Sequence, residues 1–196
     1  MKKRVRSPFH PKYVGSWVAL GLLRLLAKVP LPWLYHVGTL LGDLLRMAIP
    51  SRRRIAERNL ALCFPERSKD EITAMARENL RNTARMLLNT GYVWWASPEQ
   101  LMQNVRIRNP EVLDEILATG QGVIILAPHF LALELGGVYL SLRYRGVSVY
   151  QRTRNPVFDR YMLRARERFG ARLFERKNDL KRMVRAVRAG EACYYL

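Results

Sequence analysis

Midway along this 196-residue chain the hydrophobic rhythm changes, and the change limits the fold. From Val105 onward, short apolar runs of strand length alternate with segments carrying helix-opening and helix-closing residues. The most apolar run, Gly122 to Ala127, reads as a fully buried strand, and Val105 to Ile107 reads as a shorter one before it. Further strands are expected at Val147–Tyr150, Ala171–Phe174 and Ala192–Leu196. Between them lie helices opened by Asn109-Pro110, Asn155-Pro156 and Asn178, and closed by Gly120, Gly170 and Gly190, residues that cap helices and leave them in the left-handed region. Strands alternating with helices predict an α/β fold with a mainly parallel sheet covered by helices, because a parallel crossover needs a helix to return the chain. Sheets of this type bind ligands beyond the carboxyl ends of their strands.

The first half has a different texture. Lys2, Lys3, Arg4, Arg6 and Lys12 precede an apolar stretch from Tyr13 to Ala27, and a second apolar helix is expected from Trp33 to Ile49 after Pro30-Leu31-Pro32. Trp17, Trp33 and Tyr35 are rings suited to a headgroup layer, and the basic flanks favour the cytoplasmic side. Residues 1–49 are therefore expected to anchor the chain to a membrane, as one tilted transmembrane helix or as an interfacial hairpin. Residues 50–97 read as a helical segment. In it Ser51 is expected to cap a basic helix ending near Phe64-Pro65, and Ser68 to Glu71 forms a capping box. Ile72, Met75, Ala76, Leu80, Ala84, Leu87 and Leu88 then recur at helical steps as a packing face. Residues 98–196 make the α/β domain, and its last strand lacks a covering helix, so the chain is expected to lack its C-terminal part.

The formal net charge of +18, from 34 Lys and Arg against 16 Asp and Glu, calls for anionic partners. From Arg143 to Arg188 fifteen basic residues face four acids. No nucleic-acid-binding signature is readable, so no nucleic acid is expected, and an anionic membrane or anionic substrate explains the charge together with the anchor. Cys63 and Cys193 are far apart and have no metal-ligand spacing. Neither a metal nor an organic cofactor is expected.

Chemistry concentrates after the apolar strand. His129 would sit at that strand's carboxyl end, and Glu134 is the carboxylate nearest to it in sequence. On one continuous helix a five-residue separation turns two side chains roughly 140° apart, so the pair meets only if His129 lies in a loop and Glu134 in the first turns of the next helix. A carboxylate on one imidazole nitrogen sets the tautomer and leaves the other nitrogen free to take a proton. There is no G-x-S-x-G nucleophile elbow, and neither cysteine has a neighbouring histidine, so a covalent intermediate has no candidate.

The His129-x-x-x-x-Glu134 pattern, preceded by Gly122 to Pro128 and followed by Leu135-Gly136-Gly137, resembles the signature of the late lipid A acyltransferases, the lauroyl and myristoyl transferases. Glycerolipid acyltransferases share the spacing, usually with Asp. The resemblance also runs through Arg58-Asn59-Leu60, Cys63 to Glu66, Asn155-Pro156 and Gly190 to Leu196. It implies acyl transfer from an acyl-carrier-protein thioester to a hydroxyl of a phosphorylated glycolipid acceptor, at the cytoplasmic face of a bacterial inner membrane. Within it His129 and Glu134 are the catalytic pair. Where the family places an arginine four residues before Asn-Pro, this chain has Gln151, and Arg152 and Arg154 beside it are the expected substrate-binding residues. A glycerolipid or other glycolipid acyltransferase is the neighbouring alternative, and a non-catalytic, membrane-tethered basic binding protein is the alternative of another class.

Overall fold

The computed structural model describes residues 7–195; Lys2, Lys3, Arg4 and Arg6 of the basic flank, and Leu196 of the last expected strand, lie outside them. The chain divides into two compact units, one of Met1–Leu22 with Val93–Leu196 and one of Leu23–Tyr92. Helices α1 (Val14–Leu26) and α4 (Lys69–Trp95) run through the divisions.

The larger unit is α/β. After α5 (Pro98–Asn104) and α6 (Glu111–Ala118), strands β1 (Val123–Leu126), β2 (Gly146–Tyr150), β3 (Arg172–Glu175) and β4 (Ala192–Tyr195) alternate with α7 (Leu133–Arg143), α8 (Pro156–Glu167) and α9 (Leu180–Arg188). All strand pairs are parallel and the order is β1-β4-β2-β3, so the last strand enters the middle of the sheet. Side chains alternate across a strand. Val147, Phe174 and Cys193 thus face α9, where they pack with Met183 and Ala186 into a buried cluster. Ser148, Leu173 and Tyr194 face the opposite layer with α7 and α8. Burying a side chain such as Phe174 contributes about 1.5–3 kcal/mol, so this cluster is what holds α9 to the sheet.

Gly190 is at φ +95, and a Cβ there would stand 2.6 Å from the Gly120 carbonyl oxygen. A side chain would be strained twice over, by the left-handed backbone and by that contact. The close approach aligns the entries of β1 and β4.

Three expectations about strands and caps change. Val105 to Ile107 is not a strand: Val105 caps α5 in extended conformation, and among the described residues it finds no neighbouring strand. The strand expected to be fully buried is an edge strand, with Ile124 63% and Leu126 76% exposed, because α9 packs chiefly on β2, β3 and β4. Ser51 caps nothing; Pro50 occupies the first helical position and α3 (Pro50–Cys63) starts before it.

In the smaller unit α2 (Leu31–Ala48) crosses α4 closely at Gly38 and Gly42. A Cβ on Gly38 would lie 2.8 Å from the Arg85 Cα, and one on Gly42 would meet the Arg81 backbone. Asp43 of α2 accepts hydrogen bonds from Arg77 at 2.8 and 3.0 Å and from Arg81 at 3.0 and 2.7 Å. The two guanidinium groups hold its carboxyl far below the usual carboxylate range. On the expected packing face Ile72, Ala76, Ala84 and Leu88 are buried, whereas Leu87 is exposed and Arg85 is buried in its place. Arg85 is tolerated there because Glu78, Asn82 and Thr39 accept its hydrogen bonds and Tyr35 lies under its guanidinium at 3.8 Å.

The expectation of a transmembrane helix is not met. Among the described residues no helix is long and apolar enough to cross a membrane. The reason is length and charge: α1 has 13 residues, about 20 Å at 1.5 Å per residue against a hydrocarbon core of about 30 Å, and α2 carries His36, Asp43 and Arg46. Both helices nevertheless leave apolar stripes exposed, Val14, Val18, Leu22 and Leu25 on α1 and Trp33, Val37, Leu40, Leu44 and Met47 on α2. The first part of α1 is tied to the α/β unit: Asn155 Nδ2 donates to Ser16 Oγ at 2.7 Å, and Trp17 meets Tyr161 of α8 edge-on at 5.8 Å.

Candidate active site

β1 ends at Leu126, and the Ala127 N–H still donates to the Tyr195 carbonyl at 2.8 Å, which extends the β1–β4 pairing by one step. Pro128 cannot donate to a ladder, so the chain leaves the sheet there. It turns tightly: Phe130 N–H donates to the Pro128 carbonyl and Leu133 N–H to the Phe130 carbonyl. His129 is thereby exposed in the loop, and Glu134 is placed in the first turn of α7. A carboxylate there complements the positive end of the helix dipole. This is the loop-to-helix arrangement that the five-residue spacing requires.

The two side chains are not bonded to each other. His129 makes no hydrogen bond or ion pair among the described residues. Glu134 is held elsewhere: Arg166 of α8 donates Nε to Oε2 at 3.0 Å and Nη2 to Oε2 at 2.5 Å, with Nε also 3.2 Å from Oε1, and Trp94 Nε1 donates to Oε1 at 2.9 Å. Both members of the ion pair are mostly shielded, with side-chain exposures of 18% for Glu134 and 24% for Arg166. A carboxylate has about four acceptor directions, so three donated N–H groups leave room for one more donor.

Glu134 and Arg166 also line a cavity of about 60 Å³ between α7, α8 and the sheet, whose wall includes Leu133, Val138, Leu173 and Tyr194. The paired glycines of the motif lie over Tyr194: a Cβ on Gly136 would be 3.2 Å from its hydroxyl and one on Gly137 3.3 Å from its ring. Burial raises the Tyr194 hydroxyl above the usual tyrosine range.

Arg152 and Arg154 follow β2 and are exposed. Arg152 lies 3.6 Å from Glu175 at the end of β3; Arg154 has no partner among the described residues. The structure brings neither into contact with Glu134. Asn155 caps α8 through its Oδ1, which accepts from the N–H groups of Val157 and Phe158. Among the described residues no group of three or more His, Cys, Asp or Glu is placed to hold a metal ion. Cys193 is buried in the sheet, which pushes its thiol up, and Cys63 is exposed in the other unit.

Trp94 and Arg166 were missed from the sequence. Trp94 precedes Glu134 by forty residues and sits at the end of a helix that reads as packing, and Arg166 is one of many arginines in a basic helix. The Asn155-Pro156 cap, which sets the phase of α8, was legible; the face on which Arg166 would fall was not.

A model of the bacterial lipid A biosynthesis acyltransferase family matches residues 1–196. The lipid A biosynthesis lauroyltransferase of Escherichia coli K12 is 32% identical over 95% of this chain and 60% of its own length. A lipid A biosynthesis acyltransferase of Haemophilus influenzae is 32% identical over 94% of this chain and 59% of its own length. The lipid A biosynthesis myristoyltransferase of Escherichia coli K12 is 31% identical over 95% of this chain and 58% of its own length. The chain spans about 60% of the length of the curated relatives it matches. With the His129 to Glu134 segment in its strand–loop–helix setting and the match running from end to end, the chain belongs to the bacterial lipid A biosynthesis acyltransferase family.

Proposed function

We propose that the protein transfers a fatty acyl group from an acyl-carrier-protein thioester to a hydroxyl of a phosphorylated lipid A precursor, at the cytoplasmic face of a bacterial inner membrane. The observation that carries the reading is the placement of His129 at the carboxyl end of β1, with Glu134 on the first turn of α7, in a chain of this family. His129 is the general base. It takes the proton of the acceptor hydroxyl as that oxygen attacks the thioester carbonyl carbon, the C–S bond breaks, and the imidazolium returns the proton to the departing thiolate.

Glu134 supports the imidazolium through its fourth acceptor direction, while Arg166 and Trp94 keep the carboxylate from turning away. A change in the Pro128 to Ala132 loop that turns the imidazole toward Glu134 completes the pair, and active-site hydrogen bonds often tighten only when substrate is bound. Phe130 and Leu131, exposed beside His129, offer apolar surface to the acyl chain. Arg152 and Arg154 contact acceptor phosphate. The exposed stripes of α1 and α2 lie in the membrane interface as amphipathic helices, with Arg24, Lys28 and Arg46 among anionic headgroups.

The test is acyl transfer by the full-length gene product, read by mass spectrometry of lipid A and by a purified assay with acyl-acyl-carrier protein. General-base assistance is worth about 10²–10⁴ in rate, so His129→Ala is expected to lose at least 100-fold with the acceptor KM little changed. Near wild-type transfer by His129→Ala removes the mechanism.

A further inference from the structure

Both donors that hold Glu134 lead back to one aromatic ring. Arg166 belongs to α8, and Tyr161 precedes it on that helix by about 7.5 Å along the axis. Trp94 and Trp95 end α4 with their rings 5.9 Å apart, and Trp95 packs on Tyr161 at 6.3 Å. On its other side Tyr161 meets Trp17 of α1 edge-on at 5.8 Å. The Tyr161 ring is therefore wedged between two indoles, while its hydroxyl makes no hydrogen bond among the described residues.

α8 is tied down at its ends as well. Asn155, which caps its start, donates to Ser16 of α1, and Arg168, just past its end, donates Nη2 to the Val93 carbonyl of α4 at 2.7 Å. These ties and the wedge fix where the Arg166 guanidinium reaches Glu134, and the Trp95 contact fixes the indole beside it. Trp17 is suited by its chemistry to a headgroup layer, yet it is half-buried: its Nε1 donates to the Pro8 carbonyl at 3.0 Å and Phe9 stacks on its ring at 5.7 Å. The exposed Val14, Val18 and Leu22 occupy a different side of α1, so one helix offers apolar surface outward and holds α8 inward.

We infer that Tyr161, backed by Trp17, is a positioning residue of the acyl-transfer site: it sets both donors of Glu134 and, through them, the carboxylate that supports His129. α1 is then part of the catalytic unit as well as a membrane-facing helix. The kinetic consequence rests on the acyl-transfer reading; the placement of the Glu134 donors does not.

Tyr161→Leu, Tyr161→Phe and Trp17→Leu are made in the full-length gene product and assayed with acyl-acyl-carrier protein and detergent-dispersed acceptor. A displacement of about 1 Å can cost about 100-fold in rate, and acting one side chain away Tyr161→Leu is expected to lower kcat about tenfold with the acceptor KM little changed. Tyr161→Phe keeps the wedge and is expected to retain near wild-type kcat. In a Glu134→Gln background Tyr161→Leu is expected to cost less than about twofold more, because its effect passes through the carboxylate. Equal losses in the two backgrounds indicate a general loss of folded enzyme and overturn the role.

A second readout involves no acyl transfer. The Trp94 Nε1–H resonance, assigned by its disappearance in Trp94→Phe, reports the bond to Glu134, and Glu134→Ala supplies its unbonded position. Tyr161→Leu is expected to move the resonance toward that position; an unmoved resonance overturns the inference. Trp17→Leu repeats both measurements from the other side of the ring and carries the test should Tyr161→Leu not fold. Its sedimentation with phospholipid vesicles is expected to be unchanged while kcat falls. Lost sedimentation with kcat and resonance unchanged makes Trp17 a headgroup anchor and overturns its positioning role. A protein that shows the resonance shift but transfers no acyl group fails the proposed function alone, and one that acylates while both leucine variants keep the wild-type resonance and rate fails this inference alone.

Discussion

Removing the Arg166 guanidinium while keeping its stem, as Arg166→Met, leaves Glu134 with one donor, Trp94, in place of a two-pronged ion pair at 2.5 and 3.0 Å. At an effective dielectric of about 20 a pair of charges 4 Å apart gains about 4 kcal/mol, an upper bound before desolvation is subtracted. Fully buried pairs cost about 3–5 kcal/mol to break, whereas exposed ones cost under about 1 kcal/mol. With side-chain exposures of 18% and 24%, Glu134 and Arg166 fall between these limits, and a coupling of about 2 kcal/mol is expected. The measurement is a double-mutant cycle of Glu134→Gln and Arg166→Met by chemical denaturation. Each single variant is expected to lose more stability than its side chain's own packing accounts for, and the double variant less than the sum of the two. If the singles add within about 0.5 kcal/mol, the ion pair is not an energetic unit and Arg166 does not hold the carboxylate.

Other outcomes follow from the same structure. Gly42→Leu would drive a side chain into the Arg81 backbone and separate α2 from α4, so loss of about 3 kcal/mol or more is expected by denaturation, against little change for Gly21→Ala, where nothing lies within 4 Å. The Glu71 carboxyl is depressed to about 2 by the Arg67 side chain and then by Ser68. A depressed folded-state value means its cap on α4 is fully present above about 4.5 and is lost as pH falls toward 2; carboxyl NMR titration checks the midpoint, and Ser68→Ala should move it upward. Exposed Cys63 should react with a thiol reagent at once, while Cys193, buried in β4 with a raised thiol, should react only as the sheet unfolds.

Much of the architecture was readable in advance because it is written in local chemistry. Strands near 122–127, 147–150, 171–174 and 192–196 were placed to within a residue or two by apolar runs between caps and glycines, and the parallel pairing followed from the helices between them. Val105 to Ile107 failed because an apolar triplet becomes a strand only beside a partner, and none is there among the described residues. The apolar N-terminal stretches left a tilted membrane span or an interfacial hairpin open; α1 has 13 residues, about 20 Å against a hydrocarbon core of about 30 Å, and the part of it that carries Ser16 and Trp17 is bonded to α8.

At the site, the sequence alone determined that His129 leaves a strand and that Glu134 enters a helix, since a proline at position 128 and a five-residue spacing are facts of the chain itself. Strand order, the exposed face of β1, the cavity under Gly136 and Gly137, and the choice of Arg166 and Trp94 as partners of Glu134 were decided only by the tertiary structure. The physical reason is range. Caps, turns and hydrophobic periods act over a few residues and leave their signature in them, whereas an ion pair across 32 residues and a hydrogen bond across 40 exist only once packing has brought Trp94, α7 and α8 together.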